Sequence, residues 1–275
     1  MKLAMNESTL VNFINDYEPD VACISCIKSD EISQKAYDVE SKIPKEYSSF
    51  YYFFKPPKKS KFGTAVYTKV KPINVTYGFE SEVLNEEGRL ITCEFPKFFL
   101  VNCFTPESGT SKELDEEKID IASLQTKKSP NKFQFRTEQW DQEFRKHVKK
   151  LEEKGKPVVI VGELNVIHSE LDMYEIERKV MPAGLRNEER ENFIDLLDSG
   201  FADTFRRLYP DQTKYTNFPK DTISRTLDKG IRTSYALVSN SMFDKVVDSG
   251  IEHRIYGSLY APIVLTLNYV IYPKF

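Results

Sequence analysis

Apolar residues along this chain recur at two spacings, one typical of strands and one typical of helices. Short apolar runs bounded by turn residues predict strands at 2–5, 20–25, 49–54, 63–68, 90–95, 98–104, 157–161, 233–239, 245–254 and 262–271. Helical spacing predicts helices from about Thr9 to Asp16 with Ser8 as the cap, from about Phe135 to Glu153, and at 187–198. Strands outnumber helices and their connections are short, which favours antiparallel or mixed sheets with helices packed outside.

This order of elements predicts an α/β (α+β) fold, a four-layer sandwich of two packed mixed sheets flanked by helices. With 275 residues, 40% of them hydrophobic, the chain can bury a large core, and no break in composition argues for a second domain. The stretch 110–133 is charged and weakly patterned. We therefore expect a single domain over 1–275 with a surface insert at about 110–133.

Charge and cysteine usage narrow the classes of function. The formal net charge of -3 provides no overall basic field, which argues against a tight, sequence-blind DNA binder. No apolar stretch approaches the roughly 18 residues that a membrane span needs. The four cysteines lie in apolar runs, as buried free thiols do in a reducing compartment. We expect an intracellular protein that does not contact a membrane.

One stretch directs attention to a pocket. The segment "VVIVGELNVIHSELD" at 158–172 is an apolar strand that ends in a glycine, a carboxylate and an asparagine. With "EPDVACIS", "EGRLITCEFPKFFLVNCFTP", "AGLRNEERENFIDLLDSGFADTFRRLYP" and "GSLYAPIVLTL", it resembles the exonuclease III and apurinic-apyrimidinic endonuclease branch of the DNase I-like superfamily. The resemblance runs from Lys2 to Leu267 and implies a DNase I-like fold and a magnesium-dependent phosphodiesterase.

The resemblance also implies a metal site, whose positions can be compared with this chain. Where the family has W-N-x-D on its opening strand, the chain keeps Asn6 and has Ser8 in place of the acid. The family's principal metal ligand is the Glu of Q-E-T-K, and Cys26 stands there. The family's G-D-L-N becomes Gly-Glu-Leu-Asn, so Glu163 replaces the Asp that activates water, while Asn165 is retained.

The phosphate-facing residues of the family differ as well. Its Y-x-P-N supplies a phenol and an amide, and Phe104 and Glu107 occupy those positions. Its R-L-D-Y and S-D-H supply an Asp–His dyad and the Asp that orients the histidine. Here Ser234, Leu259 and Tyr260 replace all three. The hydroxyl, the amide and the dyad that the resemblance implies are therefore absent from the sequence.

These replacements predict the loss of the family's chemistry. Magnesium prefers oxygen ligands, so a thiol at Cys26 and an alkyl group at Leu259 do not hold it. We expect no metal, no cofactor and no catalytic residue, and hence a pseudoenzyme that serves as a protein-interaction or scaffold subunit, in the nucleus rather than the cytoplasm. A protein is the expected partner, and nucleic acid a weaker one. Two alternatives stay open: a non-catalytic DNA or RNA binder, and a residual metal-dependent phosphodiesterase that uses Glu163.

Three local expectations accompany this prediction. For Glu163, a salt bridge to Lys28 or Arg232 is expected rather than a role as general base. Asn6 and Asn165 are expected to be hydrogen-bonding struts at strand ends, because a buried amide is costly to leave unpaired. The basic stretch "KPPKKSK" at 55–61 is expected to be a solvated loop rather than a nuclear-import or phosphate-binding cluster.

Overall fold

The computed structural model describes residues 7–27, 39–53, 63–81, 84–85, 87–109, 131–174, 183–220 and 222–269. The predicted strand at 2–5, Asn6, Lys28, the stretch 55–61 and most of the predicted insert lie outside these ranges. Within the described part, two layers of sheet pack face to face and helices cover their outer surfaces.

The described strands follow the predicted apolar runs closely. They are β1 (Val21–Ile27), β2 (Ser48–Phe53), β3 (Gly63–Thr68), β4 (Asn74–Tyr77), β5 (Leu90–Glu94), β6 (Phe99–Phe104), β7 (Val158–Glu163), β8 (Phe201–Asp203), β9 (Ser234–Ser239), β10 (Val246–Ile251) and β11 (Ile263–Leu267). Strands β4 and β8 are not among the predicted ones, because β4 is mostly exposed and β8 has only three residues. Short or solvated strands carry little apolar pattern.

The helices lie mainly on the outer surfaces. They are α1 (Glu7–Tyr17), α2 (Lys132–Gln134, Phe135–Trp140 and Asp141–Glu152, continuous), α3 (Asn187–Asp198), α4 (Thr204–Leu208) and α5 (Thr222–Thr226). The middle segment of α2, Phe135–Trp140, is π-helical, which its sequence does not predict. No helix in the described part of the chain is long and apolar enough to cross a membrane.

The larger sheet has the strand order β4-β5-β6-β7-β9-β8. Strands β6 and β7 are parallel, and the other pairs in this sheet are antiparallel. The register of the parallel pair runs from Phe99 opposite Val158 to Phe104 opposite Glu163. A parallel pair requires a long crossover, and α2 lies on the crossover between β6 and β7. Both strands therefore end at the same edge of the sheet.

Two smaller sheets, β1-β3-β2 and β10-β11, form the second sheet layer. A core between the layers joins residues such as Val66, Phe98 and Val159. On the outer face of the larger sheet, α2 buries Trp140 and Val148 at helical spacing, and α3 packs beside it. Helix α1 covers the outer face of the three-stranded sheet. This arrangement confirms the predicted fold, mixed sheets flanked by helices.

The described cysteines agree with the expectation of free thiols. Cys93 and Cys103 are free and buried in the strands β5 and β6. Desolvation raises the pKa of each thiol to about 12, so both stay protonated and unreactive near neutral pH. They contribute to packing rather than to chemistry.

Candidate active site

Four of the predicted site positions, Phe104, Glu163, Ser234 and Tyr260, line a cleft between the two sheet layers. One end of the cleft lies at the edge where the parallel strands β6 and β7 end, which is where open α/β sheets commonly bind ligands. Side chains from both layers line it: Ser25, Phe104, Glu163, Ser234, Ser258 and Tyr260. Residues far apart in sequence thus come together around Glu163.

Glu163 is the last residue of β7 and is only 4% exposed. Its Oε2 accepts a hydrogen bond of 2.7 Å from the Ser234 hydroxyl, which lies directly opposite on β9. Its Oε1 accepts a hydrogen bond of 3.1 Å from the backbone N–H of Asn165. These two bonds fix the plane of the carboxylate.

Gly162 allows β7 to bring Glu163 to this position. Its φ is +134°, and a Cβ placed there would lie 2.0 Å from the carbonyl oxygen of Cys103. Cys103 is its partner in the parallel β6–β7 pair. The glycine of the G-E-L-N stretch is therefore required by the close approach of two backbones.

Asn165 joins the loops that follow β6 and β7. Its Nδ2 donates to the carbonyl of Thr105 at 2.6 Å, and its backbone N–H also donates to the carbonyl of Thr233 at 3.2 Å. Its φ of +51° lies in the left-handed region, which asparagine tolerates better than most residues. These contacts agree with the expected role of Asn165 as a strut.

Phe104 is the last residue of β6 and Glu107 lies on the loop after it, and the two side chains differ in burial. Phe104 is buried, and the guanidinium of Arg89 stacks over its ring at 4.8 Å. Arg89 Nη1 also donates to the Phe104 carbonyl at 3.1 Å. Glu107 is exposed at the rim. Sequence analysis missed Arg89, although the stretch "EGR" that precedes β5 contains it.

On the opposite side of the cleft, a bulge shapes the end of β1. The register with β3 shifts between Ile24 and Ile27. Asn102, fully buried on β6, donates from Nδ2 to the carbonyls of Ile24 and Ala65, and its Oδ1 accepts from Ser25 Oγ at 3.1 Å. This amide ties the two sheet layers together beneath the cleft. Asn102 is the one amide residue in the apolar stretch "FFLVNCF", a pattern that could have indicated its role but that sequence analysis missed.

The loop that carries Ser258 and Tyr260 is held by Arg225. The guanidinium of Arg225 donates to the carbonyls of His253, Ile255 and Ser258 at 2.9, 2.6 and 2.7 Å. Tyr260 is also bridged to Asn217 on the neighbouring segment. The backbone of Leu259 accepts a hydrogen bond from Phe218. This wall of the cleft is therefore fixed mainly through backbone groups.

The expected salt bridge between Glu163 and Arg232 does not form. Arg232 is buried and instead pairs with Asp172 and Asp203, each at 2.7 Å. Burial of Asp172 raises its pKa, but hydrogen bonds and charge from Arg232 and Arg206 outweigh burial and leave that pKa below its ordinary value. This ionised cluster anchors Arg232 and Thr233, which immediately precede Ser234. The other expected partner of Glu163, Lys28, lies outside the described residues.

The family resemblance implies magnesium, and the described side chains do not make a site for it. Within the ranges that the structure describes, no three Asp, Glu, His or Cys side chains cluster as metal ligands. Ser8 is exposed on α1 and offers a hydroxyl only. The side chains of Asn6 and Cys26 lie outside the described set.

Comparison with known proteins adds to this geometry. Residues 5–258 match the model of the Endonuclease/Exonuclease/phosphatase family. The chain is 33% identical over 258 residues to the DNA repair nuclease APEX1 of Danio rerio, covering 94% of this chain and 76% of that protein. It is 29% identical to an exodeoxyribonuclease of Bacillus subtilis, and the match covers 98% of this chain and 96% of that protein. An AP endonuclease from Archaeoglobus fulgidus has a similar structure, with a TM-score of 0.79, 18% identity, and coverage of 98% and 97%.

These similarities overturn one prediction. The replaced site residues led us to expect a chain that is not an enzyme. Relatives that are 29% and 33% identical over more than nine tenths of the chain are named as nucleases, so that expectation is wrong. In the structure, Glu163, Ser234 and Asn165 form a hydrogen-bonded set.

Proposed function

Because this chain belongs to the Endonuclease/Exonuclease/phosphatase family, we propose that it hydrolyses a phosphate ester of nucleic acid. The reaction takes place in the cleft at the ends of β6 and β7. The oriented carboxylate of Glu163, at the position of the family's water-activating Asp, carries this proposal. The names of the nuclease relatives support the class of substrate.

Glu163 serves as the proton acceptor for water. The oxygen of a water molecule forms a bond to phosphorus while the ester bond to the leaving oxygen breaks. The carboxylate takes the proton that water loses, and the leaving oxygen takes a proton from solvent. The hydrogen bond from Ser234 holds Oε2 in place, so the carboxylate needs little reorganisation during proton transfer.

Cleavage of a duplex that contains an abasic-site analogue tests this function. The assay compares the chain with its Glu163→Gln variant in the presence of magnesium, of manganese and of a chelator. Glutamine keeps the shape and can still accept from the Asn165 N–H, while its NH2 group donates to Ser234 Oγ instead of accepting from it, and it cannot take a proton. We expect the cleavage rate to fall about 100-fold or more, the usual contribution of general base catalysis.

Glu152→Gln is the matched control. Glu152 also accepts a hydrogen bond from a serine on β9, Ser239, but it does so on α2, away from the cleft. We expect this variant to cleave at the rate of the unchanged protein. The proposal fails if the unchanged protein does not cleave, or if the two glutamine variants cleave equally well. A titration of the same duplex then reports whether it is bound without turnover.

A protein partner and a nuclear location both stay predictions. Affinity purification of the chain carrying a cleavage-deficient Glu163→Gln substitution would sample such partners while the substrate remains intact. A protein that co-purifies after nuclease treatment would support a direct protein contact.

A further inference from the structure

The π-helical segment of α2 places two residues together that an α-helix would separate. Arg136 and Asp141 are five positions apart and form an ion pair at 2.7 Å. In an α-helix of 3.6 residues per turn, residues five apart point in well separated directions. The wider π-turn over Phe135–Trp140 brings them to one face, and the Asp141 N–H donates to the Arg136 carbonyl.

The pair is buried below the cleft. Arg136 is 3% exposed, and its charge is neutralised by Asp141. Burial raises the pKa of Asp141, while Arg136 and a hydrogen bond from Asn192 oppose this rise. A buried ion pair has little net worth as a source of stability, so the pair matters here for the geometry that it sets.

The remaining donors of Arg136 reach the two loops of the site. Nη1 donates to the carbonyls of Pro106 at 3.0 Å and Asn165 at 3.4 Å, and Nη2 donates to the carbonyl of Leu164 at 2.9 Å. Pro106 belongs to the loop after β6 and Leu164 to the loop after β7. One guanidinium therefore links both loops from the side of the outer helix.

The same loops are already linked at the cleft by Asn165. Its side chain donates to the Thr105 carbonyl, and the N–H of Thr105 donates to the Glu163 carbonyl. From the side of the cleft, the left-handed backbone of Asn165 is also held by its N–H, which donates to Glu163 and to the Thr233 carbonyl. Arg136 binds the carbonyl of this residue and that of its predecessor.

We propose that Arg136 is a positioning residue that fixes the Glu163–Asn165 loop against the Pro106 loop, and that the π-turn of α2 sets it there. Arg136 does not contact the substrate. It acts on the rate of the proposed hydrolysis through the position of Glu163, so this role rests on the proposed function. Its effect on the loops themselves does not depend on that function.

Arg136→Lys tests the role, because lysine keeps the charge but lacks the planar fork that reaches three carbonyls. We expect amide hydrogen exchange within 105–109 and 163–167 to become about tenfold faster or more, since the carbonyls lose buried donors. With the abasic duplex, we expect kcat to fall about tenfold with KM within about threefold, as for a group that acts only in the transition state.

Asp141→Asn and Arg145→Lys complete the experiment. Asp141→Asn keeps the guanidinium but removes its charged partner. We expect amide hydrogen exchange in the same two segments to accelerate less than in Arg136→Lys. Arg145 lies on the same helix, pairs with Asp195 on α3, and serves as the control without effect on the loops. If Arg136→Lys leaves amide hydrogen exchange in the two loops unchanged, the proposal that Arg136 fixes these loops against each other is overturned. If loop exchange accelerates but kcat does not change, its role in positioning Glu163 is overturned.

The two proposals fail separately. Absence of cleavage by the unchanged protein refutes the proposed hydrolysis. The exchange measurement still decides whether Arg136 holds the two loops, because it needs no substrate.

Discussion

The two ends of β9 carry the same chemical pair in different settings. At its first residue, Ser234 donates to Glu163, which lies at the cleft. At its last residue, Ser239 donates to Glu152, which also forms a salt bridge with Lys149. Both pairs join positions that are more than 70 residues apart in sequence. The chemistry of a pair thus does not reveal its role.

Position in the sheet separates the two roles. Glu163 terminates a parallel strand, and the loop after it is held by Asn165 and Arg136. Glu152 lies near the end of α2, and Ser239 also accepts the N–H of Val158 at the start of β7. The second pair fastens a helix to the sheet, whereas the first presents a carboxylate to the cleft. Substitutions at the two ends of β7 and β9, and in helix α2 on the outer face, test this difference.

The largest effect is expected for Gly162→Ala at the cleft end of β7. The added methyl would meet the Cys103 carbonyl at 2.0 Å in a left-handed backbone conformation, so we expect a loss of more than about 3 kcal/mol in the free energy of unfolding. Gly155 precedes the same strand, and a Cβ placed there would have no atom within 4 Å, although its φ is +84°. Gly155→Ala should lose only about 1 kcal/mol in a urea titration. Equal losses would contradict the claimed close approach of β6 and β7.

A pH effect is expected in the outer helical layer. Burial lowers the pKa of His147 to about 4, and its imidazole hydrogen bonds with Thr92 at 3.0 Å. The unfolded chain, with a histidine pKa near 6.5, therefore binds a proton that the folded chain does not. Stability should fall by up to about 3 kcal/mol as the pH drops from about 6.5 to about 4.

Urea titrations at several pH values above 4.5 measure this loss before most carboxylates titrate. In His147→Gln, which can keep a hydrogen bond to Thr92, the slope over this range should largely disappear. An unchanged slope would assign the pH dependence to other groups.

The smallest effects distinguish the two serines. Ser234→Ala removes one of the hydrogen bonds that orient Glu163, and we expect about a tenfold slower cleavage with a loss of stability near 1 kcal/mol. Ser239→Ala orphans the Val158 N–H and should reduce stability by about 1–3 kcal/mol without changing the cleavage rate per folded molecule. Initial rates and urea titrations of both variants check this. A slower Ser239→Ala enzyme would break the comparison.

The sequence predicts most of the fold because its strands are apolar runs and α2 has regular helical spacing. Glu163 and Asn165 follow from one local stretch, and Gly162 stands beside them. The partners of Glu163 do not follow from it, because Ser234 is 71 positions away and becomes its neighbour only through strand order. Arg136 also escapes prediction, because three of its four acceptors are backbone carbonyls, which have no sequence signature.

The predicted salt bridge of Glu163 shows the limit most clearly. A nearby arginine in sequence motifs suggested the pair, but Arg232 is committed to two buried carboxylates. Arg232 precedes β9, which begins at Ser234, and its guanidinium is held by Asp172 and Asp203, so its closeness to Ser234 in sequence does not bring it to Glu163. Only the placement of strands decides between such alternatives.

Single-turnover cleavage of the abasic-site duplex by the unchanged protein and by Glu163→Gln tests the central claim most directly. We predict cleavage by the unchanged protein and a rate about 100-fold lower in the variant, with Glu152→Gln unaffected. Equal rates for the unchanged protein and Glu163→Gln, or no cleavage by either, would contradict a working site centred on Glu163.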